Sequence, residues 1–198
     1  LLSLARSAEP MAGARSLLQQ LRIVPRGEAP PAEVLQPVRA AFVVRDNLRQ
    51  RRAIERSYIE ALAAARERID IVCPYFYPGR VFRRTLRGAA RRGVRVRLLL
   101  QGKLDYRLAG LAAQVLYDEL LSQGVHIFEY TPAFLHAKIA LADDGWATVG
   151  SSNIDPLSLL LNLEANVVVR DERFSAALGQ AFERALAASR EVTAPPVP

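Results

Sequence analysis

An α/β sandwich around a mixed, mostly parallel sheet is the fold class this sequence predicts, on three observations. Between Arg68 and Tyr130, short apolar runs alternate with amphipathic runs of helical period, as parallel βαβ crossovers require. After Leu135 the pattern becomes two strands flanking Asp143-Asp144-Gly145, a strong hairpin signal. Of the 198 residues 51% are hydrophobic and 24% charged, a globular balance. A chain of this length can bury about 70% of its unfolded surface.

The elements follow in order. Leu1 to Val24 reads as one or two short helices broken at Pro10 and Gly13, and Pro25 to Pro37 as an exposed linker around Pro30-Pro31. Ala40 to Val44 is a short strand. Asp46 is a good N-cap for the helix in which Ile54, Tyr58, Leu62 and Ala65 recur at helical spacing. Arg68 to Phe76 is an apolar strand running into Pro74-Tyr75-Phe76-Tyr77-Pro78-Gly79. The helix from Arg80 to Arg92 turns Phe82, Leu86 and Ala89 or Ala90 inward, and Val94 to Gln101 is the next strand. Leu108, Leu111, Val115 and Tyr117 mark a helix ended by Gly124, before the strand Val125 to Tyr130. Leu135 to Ala142 and Trp146 to Val149 form the hairpin. Glu164 to Arg170 is the last strand, leading into an Ala-rich helix from Glu172 to Ser189. Three regions follow: a helical and Pro-rich segment at 1–38, an α/β domain at 39–191 and a flexible tail at 192–198.

Composition narrows the function classes. Twenty-seven basic against 20 acidic residues give a net charge of +7, favouring anionic partners such as phosphates, nucleic acid or an anionic membrane. Cys73 is the only cysteine, so an intrachain disulfide and a thiolate metal cluster are excluded, and in an apolar strand it reads as inert core. His126 and His136 are too few for an ordinary zinc site. No apolar run reaches the roughly 20 residues that span a bilayer, and no secretory signal opens the chain. It begins at Leu1 rather than Met, as the later part of a longer protein does.

The chemistry concentrates at Leu135-His136-Ala137-Lys138. Side chains alternate along a strand, so His136 and Lys138 share one face with the small Ala140 and Ala142, while Ala137, Ile139 and Leu141 take the other. An imidazole and an ammonium so placed can hold a phosphate: the lysine neutralises an oxygen while the histidine approaches phosphorus. Asp143 has the opposite parity and sits in the turn, which predicts a supporting role. Gly150 permits close backbone approach, and Ser151 and Asn153, two apart, can donate to one anion. Glu164 is an acceptor that can fix the His136 tautomer.

His136-x-Lys138 with Asp143, then Gly150-Ser151-x-Asn153, resembles the HKD signature of the phospholipase D superfamily. Arg45-Asp46-Asn47, the segment Pro74 to Gly79, Arg91-Arg92-Gly93-Val94-Arg95-Val96 and the stretches 150–158 and 161–166 extend the likeness. From about Arg39 to Asp171 the chain resembles the second half of a bacterial cardiolipin synthase. The resemblance implies a phospholipase D-like α-β-α sandwich and phosphatidyl transfer through a phosphohistidine, without metal or other cofactor. It makes His136 a catalytic nucleophile or general acid and Lys138 and Asn153 phosphate binders. Ser151 supports them, Glu164 orients His136, and Asp143 completes the motif. It also implies phosphatidylglycerol with a second lipid alcohol as substrates, and peripheral contact with an anionic membrane at the cytoplasmic side of the bacterial inner membrane.

Such enzymes carry two of these motifs, and this sequence carries one. His126 has Phe128 where the lysine belongs and reads as a packed or rim histidine. The second half-site is expected from a missing N-terminal domain or a homodimer partner. Two other functions remain open here: a single-motif nuclease or phosphodiesterase working as a homodimer on nucleic acid, and a non-catalytic half-domain that binds phosphate groups. Three features have two readings each. The basic stripe Arg80, Arg84, Arg87 and Arg91 is a solvated helix face or a contact for anionic headgroups. Tyr75, Phe76 and Tyr77 line a substrate entrance or pack a turn. The run Leu157 to Leu163 borders an acyl channel or fills the core.

Overall fold

Apolar runs bounded by Pro and Gly become the strands of one eight-stranded sheet in a computed structural model that describes residues 37–46, 48–102 and 116–193. In chain order the elements are β1 (Arg39–Arg45), α1 (Ala53–Ala64), β2 (Arg68–Cys73), α2 (Arg80–Arg91), β3 (Arg95–Gln101) and β4 (Val125–Tyr130). They continue with β5 (Ile139–Ala142), β6 (Trp146–Gly150), α3 (Pro156–Leu160), β7 (Glu164–Arg170), α4 (Glu172–Ala187) and β8 (Ser189–Val192). Residues 116–121 are also helical. The expectations for residues 1–36, for Leu108, Leu111 and Val115, and for 194–198 lie outside the described residues.

The strand order is β1-β7-β6-β5-β2-β3-β4-β8. The sheet is mixed, as predicted, but not mostly parallel in its pairing. Only β2–β3 and β3–β4 pair parallel, and every other neighbouring pair is antiparallel. Crossover helices join the parallel strands. The β5–β6 hairpin reverses direction through the turn at 143–145, and β7 and the edge strand β8 run antiparallel to their neighbours after the longer connections that carry α3 and α4. β8 is an addition: Ser189 and Val192, read as helix end and tail, belong to a strand on the edge of β4.

Helices pack on both faces of the sheet, leaving the β1–β7–β6 end of the second face open. Ile54, Tyr58 and Leu62 of α1 and Phe82, Leu86 and Ala89 of α2 pack with Ile69, Ile71, Val96, Leu98 and Trp146 into the larger core. Each such side chain stabilises the fold by about 1.5–3 kcal/mol through burial. On the other face Phe182 of α4 packs with Val72 and Leu99. There the buried Arg97 guanidinium lies 4.9 Å from the Phe182 ring centre and binds Asp70 at 2.7 and 3.0 Å and Glu183 at 2.7 and 3.2 Å. Helix starts differ in their chemistry. Asp171 caps α4 by accepting the Phe174 N–H at 2.8 Å, whereas Asp46, expected to cap α1, instead accepts the N–H groups of Leu48, Arg49 and Gln50. It thus closes the turn before α1, whose N-cap is Arg52. No described helix is long and apolar enough to cross a membrane.

Candidate active site

The predicted residues gather where β2 and β6 end and β5 and β7 begin. The buried Gln101, last residue of β3, accepts the Leu135 N–H through Oε1 at 2.8 Å and so fixes the backbone just before His136. His136 is exposed, whereas the Lys138 side chain is buried. Lys138 Nζ donates to the His136 carbonyl oxygen at 2.8 Å and stands 3.4 Å from the ring Nδ1. Burial holds the Lys138 ammonium below the usual lysine range, and the proximity of Cys73 and Glu164 opposes that shift. Histidine and lysine therefore meet as their spacing predicts, but ahead of the strand. β5 begins at Ile139, and Lys138 joins the ladder only through its carbonyl, which accepts the Gly150 N–H at 3.1 Å. Ala140 and Ala142 do not line an open face beside them. They are buried under α1 and α2, so only the end of the sheet is accessible here.

The β6 end supplies the second wall. A Cβ on Gly150 would lie 2.2 Å from Asn166 Oδ1 and 2.5 Å from the Ala165 carbonyl oxygen, so only glycine lets β6 and β7 approach this closely. Asn153 is half-buried; its Oδ1 lies 3.9 Å from Cys73 Sγ, and its amide N–H₂ has no partner among the described residues and can donate to an anion. The Ser151 hydroxyl is committed elsewhere: it donates to Glu164 and accepts the Ala165 N–H at 3.1 Å.

Glu164 does not reach His136. Its carboxylate takes the Ser151 hydroxyl and lies 3.5 Å from the Asn162 amide nitrogen, and no hydrogen bond joins it to the imidazole. The reason is topological. β6 lies between β5 and β7, and two strand spacings amount to about 10 Å. Parity along the chain does not report that separation. Lys138 also bears on the tautomer, since an ammonium only donates. A neutral His136 ring that accepts from it at Nδ1 carries its proton on Nε2.

Asp143 sits at the far end of β5, where its backbone has φ 51°. Its Oδ1 accepts the N–H groups of Arg66 at 3.2, Glu67 at 2.8 and Arg68 at 3.1 Å, and Oδ2 accepts Arg66 at 3.0 Å. Burial acts to raise the carboxyl, but these backbone donors outweigh it and hold Asp143 below the ordinary carboxylate value. The side chain ties the hairpin to the α1–β2 junction, the supporting role its parity predicts.

Cys73 is not merely inert core. Buried at the end of β2, its Sγ donates to the Tyr75 carbonyl at 3.0 Å and accepts the Ile154 N–H at 3.3 Å. Burial pushes the thiol up to about 12, so it acts as a neutral hydrogen-bonding group. With the Tyr77 N–H donating to the Ile154 carbonyl at 2.7 Å, it fastens the Pro74–Gly79 loop to the turn that carries Asn153. Its place at a strand's carboxyl end was the available signal; Gln101 and Asn166 carried none. In that loop Phe76 is buried, Tyr77 half-buried and Tyr75 exposed, so packing and the entrance each claim part of the aromatic run. Leu159 is core, while Leu161 and Leu163 are exposed beside Glu164. His126 is on β4, separated from β5 by β2 and β3, and pairs with Glu191 at 3.1 Å on the surface. Among the described residues no three His, Cys, Asp or Glu side chains gather where they could hold a metal ion.

The sequence and the fold are similar to those of known proteins. A family model described as cardiolipin synthase, PLD-like domain, matches residues 58–186. Cardiolipin synthase B of Escherichia coli is 51% identical over 137 residues, 69% of this chain and 33% of that protein. Cardiolipin synthase A of Pseudomonas aeruginosa is 40% identical over 136 residues, again 69% of this chain and 28% of that protein. This chain thus spans about a third of the length of the curated relatives it matches. Among solved structures, the phospholipase D family member Nuc from Salmonella typhimurium superposes with a TM-score of 0.68 at 16% identity, covering 80% of this chain and all of that one.

Proposed function

The chain belongs to the cardiolipin synthase, PLD-like domain family, and from that premise we propose that it supplies one half of a two-histidine site for phosphatidyl transfer. The observation that carries this reading is the exposed His136 ring held beside the buried Lys138 ammonium and the free Asn153 amide N–H₂. Lys138 and Asn153 neutralise and orient the phosphate oxygens. In the first step a histidine nitrogen bonds to phosphorus as the P–O bond to the headgroup glycerol breaks, and the second histidine, as imidazolium, gives that oxygen its proton. In the second step this base takes the proton of the incoming lipid hydroxyl. The hydroxyl oxygen bonds to phosphorus and the N–P bond breaks. His136 is one member of the pair.

The other histidine comes from a second domain bearing the same motif. An uncovered apolar face supports that partner. Phe42 of β1 pairs with Val167 of β7, and Val167 with Val149 of β6, making a row across three strands. All three are exposed, Phe42 to 69%. The row adjoins Ser151 and Glu164, so a domain seated on it brings its own motif toward His136. Phosphatidylglycerol is the donor and a second lipid alcohol the acceptor, at the cytoplasmic side of the inner membrane.

Incubating the chain, alone and with a second motif-bearing domain, with phosphatidylglycerol vesicles and separately with plasmid DNA tests the reading. Cardiolipin forms with the second domain present and is lost in His136→Ala, and DNA stays intact. DNA nicking by the chain alone, without lipid turnover, overturns the proposal in favour of a homodimeric nuclease.

A further inference from the structure

Resting on the phosphatidyl-transfer reading, we propose that the outer face of α2, with the flanking Tyr75 and Val81, is the surface that seats this domain on a bilayer of anionic phospholipid. Arg80, Arg84, Arg87 and Arg91 recur at i, i+4, i+7 and i+11, which places them along one face of the helix. The stripe is about 17 Å long at 1.5 Å per residue. One carboxylate serves it: Glu119 binds Arg83 at 2.6 Å and Arg87 at 3.4 Å. Arg80, Arg84 and Arg91 are exposed and have no carboxylate partner among the described residues. Arg80, Val81, Arg83, Arg84, Arg87 and Glu119 line a groove of about 490 Å³.

The charges at the start of the helix do not serve it. Like charges at i,i+4, as in Arg80–Arg84 and Arg87–Arg91, repel. The first turn of α2 holds no acidic residue, and its arginines face the positive end of the helix dipole, whereas Arg91, in the last turn, meets the negative end. Neither the core nor the ion pairs of the fold offset that cost for Arg80 and Arg84. An external layer of phosphates does, because each guanidinium can bind phosphate oxygens bidentately.

Position decides the kind of layer. Tyr77 and Phe76 are bridged to Ile154, the residue after Asn153, and Arg80 follows Tyr77 by three residues. The stripe therefore begins at the rim of the catalytic end. Tyr75 is 54% and Val81 51% exposed, and an aromatic and an aliphatic side chain beside a basic stripe suit the boundary between headgroups and acyl chains. A bilayer on α2 therefore meets the rim of the catalytic end at Arg80.

The test is sedimentation of the full chain with vesicles of phosphatidylcholine containing 30% phosphatidylglycerol, against vesicles of phosphatidylcholine alone, at 0.1 M salt. Arg80→Gln/Arg84→Gln/Arg91→Gln keeps the helix and removes the unpaired charges. Each arginine near an anionic surface contributes about fivefold to partitioning, so this variant binds on the order of a hundredfold less. Its thermal midpoint equals that of the parent or lies slightly above it, because the i,i+4 repulsion is relieved. Equal binding by the triple variant, absence of parent binding, or equal binding to neutral vesicles overturns the proposal. So does a loss confined to a 30-base-pair DNA duplex, which assigns the face to nucleic acid. Binding is read without turnover. Binding through α2 with no transfer even when a second motif-bearing domain is present refutes the catalytic reading alone, and transfer by that pair while the triple variant binds unchanged refutes this one alone.

Discussion

Replacing Asp143 separates a structural carboxylate from a catalytic one. Its Oδ1 accepts three backbone N–H groups and Oδ2 one of the same three. Asp143→Asn keeps an oxygen at Oδ1, removes the charge, and turns the other position into a donor facing the Arg66 N–H. Charge-assisted bonds are worth roughly a kcal/mol more than neutral ones, so at this half-exposed turn Asp143→Asn costs about 1.5 kcal/mol. Asp143→Ala removes every acceptor and, at φ 51°, also the short polar side chain that makes the left-handed conformation tolerable, for a total of about 3 kcal/mol. At about 3 °C per kcal/mol for a domain of this size, the melting temperature falls by about 5 °C for Asn and about 9 °C for Ala. Circular dichroism melts at neutral pH measure both. The pH arm has a definite sign. The folded carboxyl is held below the ordinary Asp value, so its contribution is complete above that value and is lost as pH falls through the folded pKa. The gap between parent and Asp143→Asn is therefore constant from pH 7 to 5 and closes below 4. Phosphatidyl transfer at 25 °C survives Asp143→Asn within about threefold. An unchanged melting temperature with abolished transfer refutes the structural assignment.

Three further outcomes follow from the geometry. Cys73→Val orphans the buried Ile154 N–H and the Tyr75 carbonyl and lowers stability by about 1–3 kcal/mol, whereas Cys73→Ser recovers most of it; equal stability of all three in urea titration contradicts the clamp. Gly150→Ala forces a Cβ to within 2.5 Å of the Ala165 carbonyl, so it destabilises by about 3 kcal/mol or more, and a normal melt for it removes the close-approach argument. Asp70→Ala leaves the buried Arg97 without its principal partner and costs about 3–5 kcal/mol, while Asp70→Leu/Arg97→Met costs far less; a double-mutant cycle on melting midpoints decides.

Where the sequence was legible, one physical rule governed the outcome. Strands such as Val125–Tyr130 and Glu164–Arg170 lie where their apolar runs predict, because burial on a covered sheet dictates that pattern. His136, Lys138, Gly150 and Asn153 also converge as their spacing predicts, since a tight hairpin brings its two ends together. What did not read out depends on contacts between distant segments. Glu164 sits a strand too far from His136 because neighbour order, not parity, sets that distance. Ser151 is engaged with Glu164 for the same reason. The Cys73 clamp joins residues some eighty positions apart, and the thiol's place at the end of β2 does not name those partners. β8 is short and charged and follows an Ala-rich helix, so its pairing with β4 exists only once the sheet has formed an edge for it.

The account rests on His136 being one member of a paired site, and a hybrid enzyme tests that most directly. Residues 38–193 of this chain would replace the matching third of Escherichia coli cardiolipin synthase B, and cardiolipin formation from phosphatidylglycerol would be followed with and without His136→Ala. The account predicts that the hybrid makes cardiolipin and that His136→Ala lowers the rate by about a thousandfold or more at unchanged thermal stability. A His136→Ala hybrid that still makes cardiolipin at a comparable rate would contradict it.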